Sequence, residues 1–162
     1  MKTDLHQLAI QVGTLLKQHA FVLAAAESCT GGLLSETITS VPDSSQWFDR
    51  GFITYSNHSK QEMLGVAENT IEQFDAVSSE TVREMAEGAL KNSKANIAIA
   101  ITGYAGPTGG TDDASLGTVW FGIAMQGKGT LTFFQHFLGE RNEIRKQAVV
   151  FVLQKLIEIL KD

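Results

Sequence analysis

The sequence predicts an α/β fold, a three-layer α/β/α sandwich built on a mixed β-sheet. Three observations predict it: all-apolar runs at 21–26 and 97–102, helical apolar periodicities around them, and paired strand patterns at 118–125 and 130–137. A short run that is apolar throughout suits a strand covered on both faces. Strands alternating with helices place those helices on the two faces, and a closing hairpin adds antiparallel pairing.

The elements follow in order. Leu5, Leu8, Ala9, Val12, Leu15 and Leu16 recur at intervals of three and four and line one face of a helix. Residues 21–26 form a buried strand whose end runs into Glu27-Ser28-Cys29-Thr30-Gly31-Gly32, and residues 33–40 form the next helix. Residues 51–55 read as a strand, 59–64 as a short helix ended by Gly65, and 70–74 as a helical turn. Val82, Met85, Ala86, Ala89 and Leu90 repeat helically behind the capping candidates Ser78 and Ser79. The strand at 97–102 opens into a glycine-rich loop at 103–115. Gln126-Gly127-Lys128-Gly129 joins the last two strands as a hairpin turn, and a long helix carries Ile144, Ala148, Phe151, Val152 and Leu156 on one side.

Composition sets the broad limits. A chain of 162 residues, 43% hydrophobic and 19% charged, without repeats or linkers, is expected to form a single domain over 1–162. Thirteen Lys and Arg against 18 Asp and Glu give a net charge of -5 with no basic run, so nucleic acid is not an expected partner. The single cysteine, Cys29, excludes an internal disulfide, and the N-terminus lacks the basic and apolar stretches of an export signal. The expected compartment is cytoplasmic. No apolar segment approaches the roughly 20 residues that cross a bilayer, so no membrane association is expected.

Sites in such sheets gather at the carboxyl ends of strands, which directs attention to three segments. In Glu27–Gly32 a hydroxyl follows a strand, and the glycines open a helix start whose amides would face a phosphate or an oxyanion. A capped helix with a tight entry turn is the plainer alternative. In residues 50–60 a strand again ends in polar groups, and Lys60 would lie in the first helical turn, where the dipole disfavours its charged form. The alternative is a solvated surface lysine. His58 has no second histidine or close carboxylate to complete a metal site, and no metal is assigned. In residues 102–111 glycines permit close backbone contact with a ligand, yet neither a Walker spacing nor a dinucleotide fingerprint is present. A surface loop and a ligand lid are equally compatible with it.

Taken together, Ala26–Gly32, the Trp47-Phe48 pair before Arg50-Gly51-Phe52, Thr54-Tyr55-Ser56-Asn57 with Lys60, and Thr102-Gly103 with Ala105-Gly106-Pro107 resemble the CinA C-terminal domain family. Gly117–Phe121 and Gly139-Glu140-Arg141 match as well, so the resemblance spans nearly the whole chain; within the family it points to the stand-alone nicotinamide mononucleotide deamidases. Tyr104 stands where the family usually carries a small aliphatic residue. The resemblance implies a CinA C-terminal domain-like fold without the extra N-terminal domain of longer members. It also implies hydrolysis of the carboxamide of nicotinamide mononucleotide, in pyridine nucleotide recycling, with no cofactor, by a homodimer. By the same resemblance Ser28 is the nucleophile, Lys60 the general base, Tyr55 a hydroxyl assisting proton transfer, and Thr102 and Arg141 substrate-binding positions.

Chemistry supports the assignment. Amide hydrolysis needs a strong nucleophile, a proton donor to the leaving nitrogen and an oxyanion site, and Ser28, Lys60 and the backbone of Thr30, Gly31 and Gly32 would supply them, with Gly103 beside Thr102 giving close approach. Lys60 must then be kept partly deprotonated by burial or nearby positive charge, for which Arg141 is a candidate. Cys29 is a rival nucleophile next to Ser28. Two other functions stay open: a non-catalytic nucleotide-binding module using the same glycine turns and Arg141, and hydrolysis of a different small amide.

Overall fold

The computed structural model describes residues 4–110 and 115–162. Five strands form one sheet in the order β2-β1-β3-β4-β5: β1 Leu23–Glu27, β2 Phe48–Ile53, β3 Ile97–Gly103, β4 Thr118–Met125 and β5 Thr130–His136. β1 runs parallel to β2 and β3, while β4 and β5 are antiparallel additions, so the sheet is mixed as expected.

The side-chain alternation of the central strands sorts the two faces by size. Leu23, Ala25, Ile97, Ile99, Ile101, Val119, Phe121 and Ile123 join one core with helices α1 Leu5–His19, α2 Leu33–Thr39 and α6 Arg141–Lys161. Ala24, Ala26, Ala98, Ala100 and Ala124 face the other core, under α3 Asn57–Leu64, α4 Glu68–Phe74 and α5 Ser79–Lys91. Small side chains let α5 lie close to the sheet: a Cβ on Gly122 would sit 2.8 Å from the Val82 carbonyl oxygen.

Several boundaries differ from the expectation. β1 starts at Leu23 rather than residue 21, because the Phe21 amide still closes α1 onto Leu16 O and the Val22 amide is taken by the Asn96 side chain. β2 begins at Phe48, three residues before the expected Gly51, and Tyr55 lies beyond its end. It is an edge strand with exposed Asp49 and Arg50, whose polarity interrupts the apolar pattern. The turn at 70–74 is a full two-turn helix, and a 3-10 turn, Ser44–Gln46, carries no apolar periodicity that would announce it. Thr111, in the glycine-rich loop, lies outside the described residues. No helix among those described is long and apolar enough to cross a membrane.

Candidate active site

The carboxyl end of β1 presents the first functional group. The Ser28 amide extends the β3 pairing by donating to Ile101 O at 3.0 Å, after which the chain turns sharply. Gly31 and Gly32 have φ of 57° and 108°, a region that glycine enters without steric cost. The Ser28 hydroxyl is thereby held at the carboxyl end of β1, with the residue 7% exposed.

α3 brings the second group. Its cap, Ser56, accepts from the Ser59 amide, and Lys60 follows in the first turn with its side chain directed inward, 1% exposed. Lys60 Nζ stands 3.0 Å from Ser28 Oγ, 2.9 Å from Thr54 O and 3.3 Å from Tyr55 O. A neutral amine carries two N–H donors and one lone pair. The two carbonyls take the donors, leaving the lone pair for the Ser28 hydroxyl proton. Burial pulls the Lys60 amine down from 10.5 to about 8, so a sizeable neutral fraction exists just above neutrality. Of the expected causes, burial is the one at work: desolvation dominates, and neither the helix dipole nor Arg141 is among the causes of the shift.

Cys29 borders the same cavity, but it is packed into the core and only 5% exposed. Burial pushes its thiol up to about 12, so it stays protonated and weakly nucleophilic.

The glycine turn requires one correction. The amides at the α2 start were expected to face a ligand, but the buried carboxylate of Glu27 occupies them. Its Oε1 accepts from Thr30 Oγ1 at 2.7 Å, Gly32 N at 3.2 Å and Leu34 N at 2.9 Å, and its Oε2 from Ser35 N and Ser35 Oγ. The Gly31 amide donates to Ser28 O. Thr30, Gly31 and Gly32 therefore build the turn, and the Gly31 and Gly32 amides are unavailable to substrate. Among the described residues the amides of Cys29 and Thr30 have no protein acceptor.

A cavity of about 260 Å³ lies over the pair, lined by Ser28, Lys60, Tyr55, Thr102, Gly103 and Arg141 among others. Thr102 is 1% exposed and its hydroxyl donates to Ala76 O, so it shapes the wall. A Cβ on Gly103 would meet Val119, which fixes the close approach of the loop to β4. Tyr55 is 63% exposed at the rim, its hydroxyl accepting from Arg141 Nη2 at 3.1 Å, while Arg141 Nη1 donates to Gly106 O. Tyr104, Ala105 and Thr108 of the glycine-rich loop also line the cavity, so this part of the loop is wall.

Two functional neighbours escaped the sequence reading. Glu27 was quoted within its motif, yet a carboxylate at the end of an apolar strand gives no pattern for its five donors. Arg145 reaches the turn from α6, donating from Nε to Cys29 O and from Nη2 to Thr30 O, both at 3.0 Å. Its one signal in the sequence is its spacing of four from Arg141 on the same helix.

This geometry can be set beside known proteins. The profile described as the CinA C-terminal domain matches residues 5–160. The chain belongs to the CinA C-terminal domain family. Among curated members, the nicotinamide-nucleotide amidohydrolase PncC of Enterobacter agglomerans is 48% identical over 159 residues, 98% of this chain and 97% of that protein. The protein of that name from Escherichia coli K12 is 46% identical, over 95% of this chain and 93% of its own length. Among solved structures, a CinA superfamily protein from Klebsiella pneumoniae superposes with a TM-score of 0.95 at 38% identity, covering 98% of this chain and 99% of that one. The CinA family member thus has its Ser28–Lys60 pair on the family's own fold.

Proposed function

We propose that this chain hydrolyses the carboxamide of nicotinamide mononucleotide to nicotinate mononucleotide and ammonia, with Ser28 as nucleophile and Lys60 as general base. The observation that carries the reading is the buried 3.0 Å contact between Lys60 Nζ and Ser28 Oγ, with the amine lowered to about 8. The names of the curated relatives supply the substrate.

Ser28 Oγ attacks the carboxamide carbon as its proton passes to Lys60 Nζ, and the carbonyl oxygen becomes an oxyanion. The Cys29 amide, on a residue that lines the cavity and with no protein acceptor among the described residues, is the donor suited to that oxyanion. Collapse breaks the C–N bond while Lys60 returns the proton to the departing nitrogen, releasing ammonia and leaving an ester on Ser28. Water then attacks the ester carbon, its proton goes to Lys60, and cleavage of the ester C–O bond returns that proton to Ser28 and frees the acid. Arg141 at the cavity rim has the forked donors that suit a substrate phosphate, and the Tyr55 hydroxyl, which accepts from Arg141, is assigned by the family resemblance to assist proton movement.

The test is ammonia release from a panel of small amides, free nicotinamide and nicotinamide mononucleotide included, run beside Lys60→Ala. The mononucleotide is expected to be the preferred substrate, and loss of the base should slow it by about a hundred- to ten-thousandfold. Binding of the mononucleotide without any ammonia would overturn the reading.

A further inference from the structure

We propose that Tyr104 sets the site's preference for the charge of the substrate ring: its aromatic face takes an N-alkylated pyridinium ahead of a neutral ring of the same shape. This inference rests on the amidohydrolase reading for the substrate and concerns the wall of the same cavity.

The ring nitrogen of nicotinamide mononucleotide is quaternary. It has neither a proton to donate nor a lone pair to accept with, so no hydrogen bond registers its charge; a carboxylate or the face of an aromatic ring does. Among the described residues no Asp or Glu lines the cavity over Ser28 and Lys60, whereas both tyrosines of the chain, Tyr55 and Tyr104, do. Tyr55 is exposed at the rim, and its hydroxyl already accepts from the Arg141 guanidinium. Tyr104 is partly buried, and no cation of the protein stands over its ring among the described residues. The recognition of ring charge therefore falls to Tyr104.

The strand before it places the side chain. The Tyr104 amide donates to Thr118 O at 3.0 Å and its carbonyl accepts from the Gly117 amide at 2.7 Å, so the backbone stays tied to the start of β4 just past the end of β3. Alternation turns Tyr104 to the same face as Thr102, whose hydroxyl reaches Ala76 O in the cavity wall. The glycine-rich loop backs the ring: a Cβ on Gly109 would lie 3.6 Å from Tyr104 Cδ1. Burial, and after it the Asp75 carboxylate, pushes the Tyr104 hydroxyl above its usual value, so the ring stays a neutral phenol where Lys60 acts. The same carboxylate adds a negative potential, screened by solvent, that favours a cation beside the ring. Lys60 is uncharged in its acting form and does not oppose that cation.

The test is calorimetric titration of two ligands into Ser28→Ala, which prevents turnover. One ligand is nicotinamide mononucleotide; the other is its benzamide C-nucleotide analogue, in which carbon replaces the ring nitrogen and the charge is gone. The cation is expected to bind more tightly than the neutral analogue. Adding Tyr104→Leu should shrink that preference about 3- to 30-fold, because both ligands lose apolar contact but only one loses the partner of its charge. Tyr104→Phe keeps the aromatic face and should hold the preference within about twofold. Should Tyr104→Leu melt below the assay temperature, Tyr104→Met carries the same comparison. Equal weakening of both ligands, weakening of neither, or no preference in Ser28→Ala with Tyr104 in place overturns the role. Ammonia release by the wild type is read in parallel. No ammonia beside a preference that depends on Tyr104 removes hydrolysis and keeps this subsite; ammonia without the preference removes the subsite alone.

Discussion

At the scale of single residues, the proposed reaction turns on a lysine that water barely reaches. Lys60 is charged below about 8 and then has no lone pair to receive the Ser28 proton; above that pH it does. The pH profile of kcat/KM for nicotinamide mononucleotide is therefore expected to rise from low pH and level off above about 8, since that ratio reports the free enzyme. A flat profile between pH 6 and 9, about two orders of magnitude in proton activity below that point and about one above it, would contradict it. How far the site was legible follows from the residue types. Ser28, Lys60, Tyr55 and Arg141 stood out because hydroxyls, amines and guanidinium groups at strand and helix ends are unusual enough to match a family pattern. Glu27 and Arg145 were not legible as partners, because a bond from a side chain to a distant backbone carbonyl, such as Arg145 to Cys29 O across 116 positions, leaves no local spacing. Of the expected amides of Thr30, Gly31 and Gly32, the last two are claimed inside the protein, by Ser28 O and by Glu27, because the sequence does not reveal which amides the fold's own acceptors take.

At the scale of elements, the site depends on how closely α3 packs on α5. A Cβ on Gly88 would overlap the Leu64 carbonyl oxygen, at the C-terminal end of the helix that carries Lys60. Gly88→Ala should therefore push α3 outward, costing about 1–3 kcal/mol of stability and lowering kcat as Lys60 is drawn from Ser28. Thermal melts and ammonia assays read the two effects, and Gly129→Ala, where nothing lies within 4 Å, is the control expected to change neither. Unaltered stability and activity in Gly88→Ala would contradict the packing argument. The elements themselves were read with varying ease. β3, β4 and α5 are apolar or cleanly periodic, so their expected bounds lie within a residue or so of the observed ones. β2 was half-missed because its exposed residues at the sheet edge mimic a loop, and α4 was taken for a turn because Ile71 is its one buried residue.

At the scale of the whole molecule, three separate parts of the chain converge on one small volume. The nucleophile comes from the end of β1, the base from α3 and the rim arginine from the first turn of α6, all at the carboxyl edge of the parallel strands. The two-sided cover of the sheet, large residues under α1 and α6 and alanines under α5, sets the layer spacing that lets these groups meet. The alternating apolar runs announced that arrangement; the distance between Ser28 and Lys60, 32 positions apart, came only with the folded chain. The most direct test is steady-state ammonia release from nicotinamide mononucleotide at pH above 8 by the wild type beside Ser28→Ala and Cys29→Ala. The expected result is a loss of at least about a thousandfold in Ser28→Ala, with most activity kept in Cys29→Ala. Turnover surviving in folded Ser28→Ala would contradict the account.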